Sequence, residues 1–203
     1  MERKRIEYDQ RSPGRPRSEE AHDAILTAAV ALIREVGYDA VTMEGIAAKA
    51  GVGKATVYRR WKDKETLVIE AIGRIVAAFH VPDTGTLCGD LQALLRIALG
   101  MYGDPASGAL LSGLVAAMAR SERIAEAIRG GFVRTWLETI HAVLERAAAR
   151  GDLRDGVDLG FASDLLSAPF FYRFLLTGEA VDEPLAARVV DAVMRAIARE
   201  AGG

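Results

Sequence analysis

The sequence predicts an all-α protein, with a small three-helix unit leading into a larger helical bundle. Three observations point there. Apolar residues recur every three or four positions, Gly, Pro and Asp punctuate these periodic stretches, and no run alternates apolar with polar residues between hairpin turns. A chain of 203 residues, half of them hydrophobic, can bury a substantial core without staples. Its single cysteine, Cys88, excludes an intramolecular disulfide, and no fixed-period repeat runs through it.

Residues 1–17 are polar, contain Pro13 and Pro16, and hold six Lys and Arg against three acids, so they read as a flexible basic arm. Ser18 is read as the cap of a first helix, with Glu19 and Glu20 in its positive first turn. Ile25, Ala28, Ala29, Leu32, Ile33 and Val36 form its apolar stripe, and Gly37 is read as its end. Thr42 caps a short second helix over 43–50 that Gly51 stops, 53–61 forms a third, and Asp63 caps a fourth running towards His80 before Pro82. Helices follow over 90–101, 106–119, 122–150, 159–176 and 184–201. Gly130-Gly131 is expected to break the longest of these and Pro169 to kink the next.

Two short helices joined at a glycine, behind a longer supporting helix, make a helix-turn-helix, the geometry that seats the second short helix in the major groove of DNA. The overall charge of −2 conceals an asymmetry: residues 1–66 carry 13 basic against 11 acidic side chains, a net of +2, and the remainder 13 against 17, a net of −4. A weakly acidic protein with a basic end still binds DNA, because the phosphate field acts locally.

The stretch from Thr42 to Leu67, TMEGIAAKAGVGKATVYRRWKDKETL, resembles the motif of TetR-type transcriptional regulators at Thr42, Ile46, Ala47, Ala50, Gly51, Val52, Thr56, Tyr58, Lys64 and Leu67. The resemblance implies a DNA-binding domain over 18–66 and a helical effector-binding and dimerisation domain over 67–203. Gly53 stands where the family usually has serine, removing a side-chain cap, and Trp61 where it usually has phenylalanine; Trp61 is expected to pack in the core. Thr42 sits at a helix N-terminus whose N–H groups can meet a phosphate, and Tyr58 and Lys64 are placed for further backbone contacts. Lys54, Ala55, Thr56 and Arg59 lie on the leading face of the recognition helix, where an arginine can bond a guanine edge and a methyl can touch thymine. Arg60 is assigned to phosphate by the resemblance. Two readings stay open for Gly14-Arg15-Pro16-Arg17, a hook that places Arg17 in the minor groove or a solvated tail.

Enzymatic readings fail on spacing. Ala50 to Lys54 has the flavour of a phosphate loop, but Ala48 stands where its first glycine belongs, Ala55 where its hydroxyl belongs, and no strand precedes it. There is no nucleophile elbow, and His22, His80 and His141 share no metal-ligand spacing with Cys88. Neither metal nor cofactor is expected, and with no signal peptide or membrane span the expectation is a cytoplasmic protein.

In the C-terminal region four of the six phenylalanines crowd one helix. The resemblance implies a homodimer through the last two helices, with Phe161, Leu165, Phe170, Phe174, Val189, Val193 and Ile197 at the interface. It also implies a cavity for a small effector, for which the flexible or aromatic candidates are Met101, Tyr102, Met118, Phe132, Trp136 and Phe171. The expected function is a repressor that leaves a palindromic operator, its double-stranded DNA partner, when a small, largely apolar molecule binds. The alternative is a DNA-binding regulator or architectural protein with no small-molecule effector.

Overall fold

The computed structural model describes residues 15–76, 80–103 and 105–199, among which run ten α-helices, two π-helical turns and one isolated antiparallel bridge between Leu153 and Ala198. The arm through Gly14 lies outside the described residues. α1 (Arg15–Ala40) begins three residues before the expected Ser18 cap, taking Arg15, Pro16 and Arg17 from the arm. Pro16 suits a first turn, where its fixed φ is helical and its missing N–H forfeits no bond. At Gly37 the helix breaks, with φ 77° and ψ 158°, and a last turn continues to Ala40.

α2 (Met43–Lys49) is capped by Thr42, whose hydroxyl oxygen accepts from the Gly45 N–H at 3.0 Å. Gly51, at φ 66°, makes the left-handed turn into α3 (Lys54–Tyr58), a conformation that disfavours any side chain. α4 (Lys64–Val76) starts from Asp63, whose Oδ1 accepts from both the N–H and the hydroxyl of Thr66, at 2.7 and 2.6 Å. These two bonds, then Arg123, hold the Asp63 carboxyl down at about 2. Residues 77–79, on the expected continuation towards His80, lie outside the described residues.

The remaining helices are α5 (Leu87–Tyr102), α6 (Pro105–Met118), α7 (Glu122–Ile128), α8 (Arg134–Arg150), α9 (Leu159–Tyr172) and α10 (Glu183–Ile197). α5 starts ahead of its expected position because Thr86 caps it. Asp90 lies fully buried instead, accepting from the Thr84 N–H at 2.6 Å and the Thr84 hydroxyl at 2.8 Å, with Arg146 of α8 3.5 Å from its second oxygen. That cluster ties the segment before α5 to the bundle. Gly130-Gly131 does not break the chain. A π turn over Arg129–Val133 absorbs the pair, the Arg134 N–H reaching back to the Arg129 carbonyl, and α7 runs on into α8. Pro169 stays inside α9, and the regular pattern gives way to a second π turn, Arg173–Thr177, one helical turn later.

Two apolar cores result. The first gathers Ile25, Ile33, Ile46, Val57, Trp61 and Leu67 of the N-terminal helix-turn-helix head, and continues without a gap through Ile72 into Leu110, Leu114, Ile124 and Ile128 of α6 and α7. The expected boundary after residue 66 is therefore not a seam in packing. The second core joins Leu91, Leu94, Ile140, Leu144, Leu166, Phe170 and Val193 from α5, α8, α9 and α10. α1 lies along α6, and a Cβ at Gly113 would meet the Tyr38 backbone nitrogen at 3.3 Å, so glycine sets how closely those helices approach. No helix among the described residues is long and apolar enough to cross a membrane, and among them no three His, Cys, Asp or Glu side chains gather to hold a metal.

Candidate nucleic-acid interface and ligand cavity

The α2–α3 corner presents its polar side chains outward. Thr42, Lys54, Ala55, Tyr58 and Arg59 are exposed and Thr56, Arg60 and Lys64 half-buried, while Ile46, Ala47 and Val57 fill the space beneath. Trp61 is 2% exposed, donates from Nε1 to Glu70 at 2.7 Å and stacks on His22, the core position expected of it. Arg59 has no acidic partner among the described residues.

Three side chains carry internal contacts that bear on their expected roles. The Tyr58 hydroxyl donates to Glu44 Oε1 at 3.2 Å, and Lys54 Nζ lies 4.0 Å from the same oxygen. Loss of water, then the Glu44 hydrogen bond and charge, raises the Tyr58 hydroxyl above its ordinary range. Lys64 caps the end of α1, donating to the Tyr38 and Asp39 carbonyls at 3.0 and 3.3 Å with its ammonium 4.4 Å from the centre of the Tyr38 ring. The two carbonyls thus hold Lys64, and Glu44 holds Tyr58 with Lys54 at the edge of ion-pair distance. The motif did not single out Glu44, although an acid in the first turn of α2, beside the positions assigned to phosphate, was readable in the sequence. Arg17 is helical backbone in α1, and its side chain lies outside the described residues.

Exposed ion pairs join this head to α6 and α7: Arg120 to Asp39 at 2.5 Å, and Arg123 to Asp63 and Glu65 at 3.2 and 3.4 Å, with Arg123 also donating to the Thr66 hydroxyl. Exposed pairs add little stability each but fix relative position.

At the meeting of the two cores lies a cavity of about 330 Å³. Met101, Met118, Phe132 and Phe171 line it, as anticipated, with Leu110, Leu111, Leu114 and Val115 of α6 and Ile128 and Val133 around the first π turn. Tyr102 and Trp136 do not. Tyr102 is buried among Phe170, Phe171 and Phe174, at ring separations of 6.1, 5.2 and 5.6 Å, and burial pushes its hydroxyl far above its ordinary range. Trp136 is 7% exposed and donates to the Ser167 hydroxyl at 3.1 Å. Both are core residues because each finds its partners inside the second cluster. Gly100 and Leu175 also line it, and Arg34 of α1 and Ile72 of α4 join the wall from the head. Spacing within α5 to α9 could not reveal these last two, since they come from the head.

The surface of α9 and α10 departs from the expected interface set. Phe161 is 61% exposed, but Phe170 and Ile197 are buried in their own core and Phe174 packs on Tyr102, so these three are not open surface. Val189 and Val193 are buried in that core too, yet with the half-buried Leu165 they form the floor of a groove edged by Pro169, Tyr172 and Ala192, and Tyr172 and Leu176 stand 58% and 76% exposed. The aromatic crowding of α9 serves two faces, and composition alone did not separate them.

Comparison with known proteins adds the family. The family described as "Bacterial regulatory proteins, tetR family" matches residues 25–71, and "Tetracyclin repressor-like, C-terminal domain" matches 81–193. The chain is 35% identical over 184 residues to the uncharacterized HTH-type transcriptional regulator YdeS of Bacillus subtilis, covering 90% of this chain and 91% of that one. It is 33% identical over 185 residues to the DNA-binding transcriptional repressor TetR of Mycobacteroides abscessus, covering 90% and 96%. Among solved structures, the TetR family transcription regulator SCO0332 superposes with a TM-score of 0.71 at 28% identity, over 87% of this chain and 97% of that one. With the helix-turn-helix built as described and both family regions matched in order, the chain belongs to the TetR family of DNA-binding transcriptional regulators.

Proposed function

We propose that this regulator is a homodimeric repressor that leaves a palindromic operator when a small, largely apolar molecule enters the cavity between its cores. The observation that carries this reading is the composition of the cavity wall, which takes Arg34 and Ile72 from the head and Met101, Leu111 and Phe171 from the bundle. A ligand that fills it touches both bodies, so its affinity depends on how they sit. By linkage, that differential affinity is what lowers operator affinity. An architectural protein without an effector has no use for such a space.

Dimerisation is supported by the exposed apolar surface of Phe161, Tyr172 and Leu176 beside the groove over α9 and α10. A two-fold pair of heads presents recognition helices about 34 to 36 Å apart, one turn of duplex. In the proposed complex Lys54 and Tyr58 turn from Glu44 to phosphate, Thr42 and Arg60 also meet the backbone, and Arg59 with Ala55 and Thr56 reads base edges.

Selection of duplexes from a random library by the full-length protein tests the reading. The expected winner is an inverted repeat bound about a thousandfold or more tighter than unrelated DNA. Lys54→Ala then flattens the log–log salt slope by about one unit, whereas Arg59→Ala relaxes base preference. A winner with a single half-site, or uniform binding to all duplexes, would contradict the dimeric operator reading.

A further inference from the structure

We propose that the effector is an amphipathic anion whose apolar body fills the cavity and whose acidic end pairs with Arg34. This deepens the proposed function and rests on the cavity being the effector site. Arg34 is the only charged residue in a wall otherwise made of aliphatic, aromatic, methionine and glycine residues, among the described residues. It is exposed and has no acidic partner among them, and its neighbour Glu35 is taken by Lys49 at 2.7 Å.

Its position gives the cation a direction. Arg34 also lines a separate groove between α1 and α4, with Thr27, Val30, Ala31, Ala71 and Arg74, and among the described residues it is the one shared by groove and cavity. Arg74 in that groove is paired with Asp23 at 2.8 Å, so Arg34 is the cation left for a ligand. A molecule with its tail between Leu111, Leu114 and Phe171 therefore emerges past a guanidinium, which offers forked N–H donors to a carboxylate or phosphate oxygen. A cationic ligand meets repulsion at that point, and a neutral apolar one leaves the guanidinium unused. Because Arg34 belongs to the long helix that supports the reading head, the pairing applies the ligand's charge to the head itself.

The test compares octanoate and decanoate with 1-decanol and decyltrimethylammonium, each titrated calorimetrically into the full-length protein and its Arg34→Gln and Arg34→Lys variants. The same additions are then made to the operator complex. Decanoate is expected to bind about two- to fivefold tighter than 1-decanol, the size of an exposed ion pair, and about fourfold tighter per methylene than octanoate. Arg34→Gln should bring decanoate down to the 1-decanol level without moving 1-decanol, Arg34→Lys should keep part of the preference, and the ammonium should bind weakest. Comparing two ligands within each variant cancels any change in its DNA affinity. If 1-decanol binds and loosens the operator complex as well as decanoate does, or if Arg34→Gln keeps the preference, the anionic assignment is overturned while the cavity remains the effector site. If no member of the series binds or shifts operator affinity, both fall.

Discussion

At the α2–α3 corner a threonine cap and a glycine at φ 66° set how two short helices begin and turn, whereas α5, α8, α9 and α10 are held by interlocking leucine, valine and aromatic side chains. The first arrangement depends on backbone requirements, each met by very few residue types. The second depends on shape and volume, which many combinations satisfy. The head's geometry is consequently set by few positions, and the bundle can carry an imperfection where its core meets the head. The cavity occupies that imperfection.

The sharpest way to break the comparison is to damage each core and ask whether the other notices. Phe170→Ala should cost about 3–5 kcal/mol and Ile46→Ala about 2–5 kcal/mol, as large-to-small changes at fully buried sites do. Because the head core runs through Ile72 into α6 and α7, both variants should shift one cooperative thermal transition, recorded by circular dichroism. Two separated transitions would mean that head and bundle are independent, and that a ligand at their junction has little to transmit.

A smaller effect belongs to the cap of α4. Asp63→Ala should lower stability by about 1 kcal/mol. The folded carboxyl lies near 2 against an ordinary 3.8, so its contribution is present above about pH 4 and is lost as pH falls towards 2. Denaturation by urea across that range should show the parent losing stability that the variant never had. A constant difference between the two down to pH 2 would remove the charged cap from the account.

Glu44→Gln probes the reading face without touching the core. Removing the carboxylate that engages Tyr58 and Lys54 should tighten binding to every duplex a few-fold at low salt, with the gain shrinking as salt rises. Unchanged affinity would mean that phosphate does not compete for those side chains. The smallest expected change is Gly100→Ala on the cavity wall. A Cβ there meets nothing within 4 Å, so the variant should gain about 0.5 kcal/mol from helix propensity, read as a modest rise in melting temperature.

The same contrast explains what was legible beforehand. Thr42, Gly51 and Asp63 announced the corner because each answers a local backbone need at a fixed spacing. Gly130-Gly131 read as a break because a pair of glycines is a poor helix former, yet a π turn absorbs them, a choice made by packing against the head rather than by local propensity. Met101, Met118, Phe132 and Phe171 were found as cavity lining, but Tyr102 and Trp136 carry the same aromatic signal and lie in the core. Arg34 left no local trace. It reaches the cavity only because α1 lies along α6, a contact between segments some seventy residues apart or more.

The central claim is that occupancy of the cavity controls the head, and the most direct measurement is the anisotropy of a labelled operator duplex during ligand titration of the parent and of Leu111→Trp, whose indole takes up the space the ligand needs. With decanoate as ligand, the account predicts release of the parent and retention of the operator by the filled variant over the same concentrations. Release of both at equal concentrations, or of neither, would contradict it.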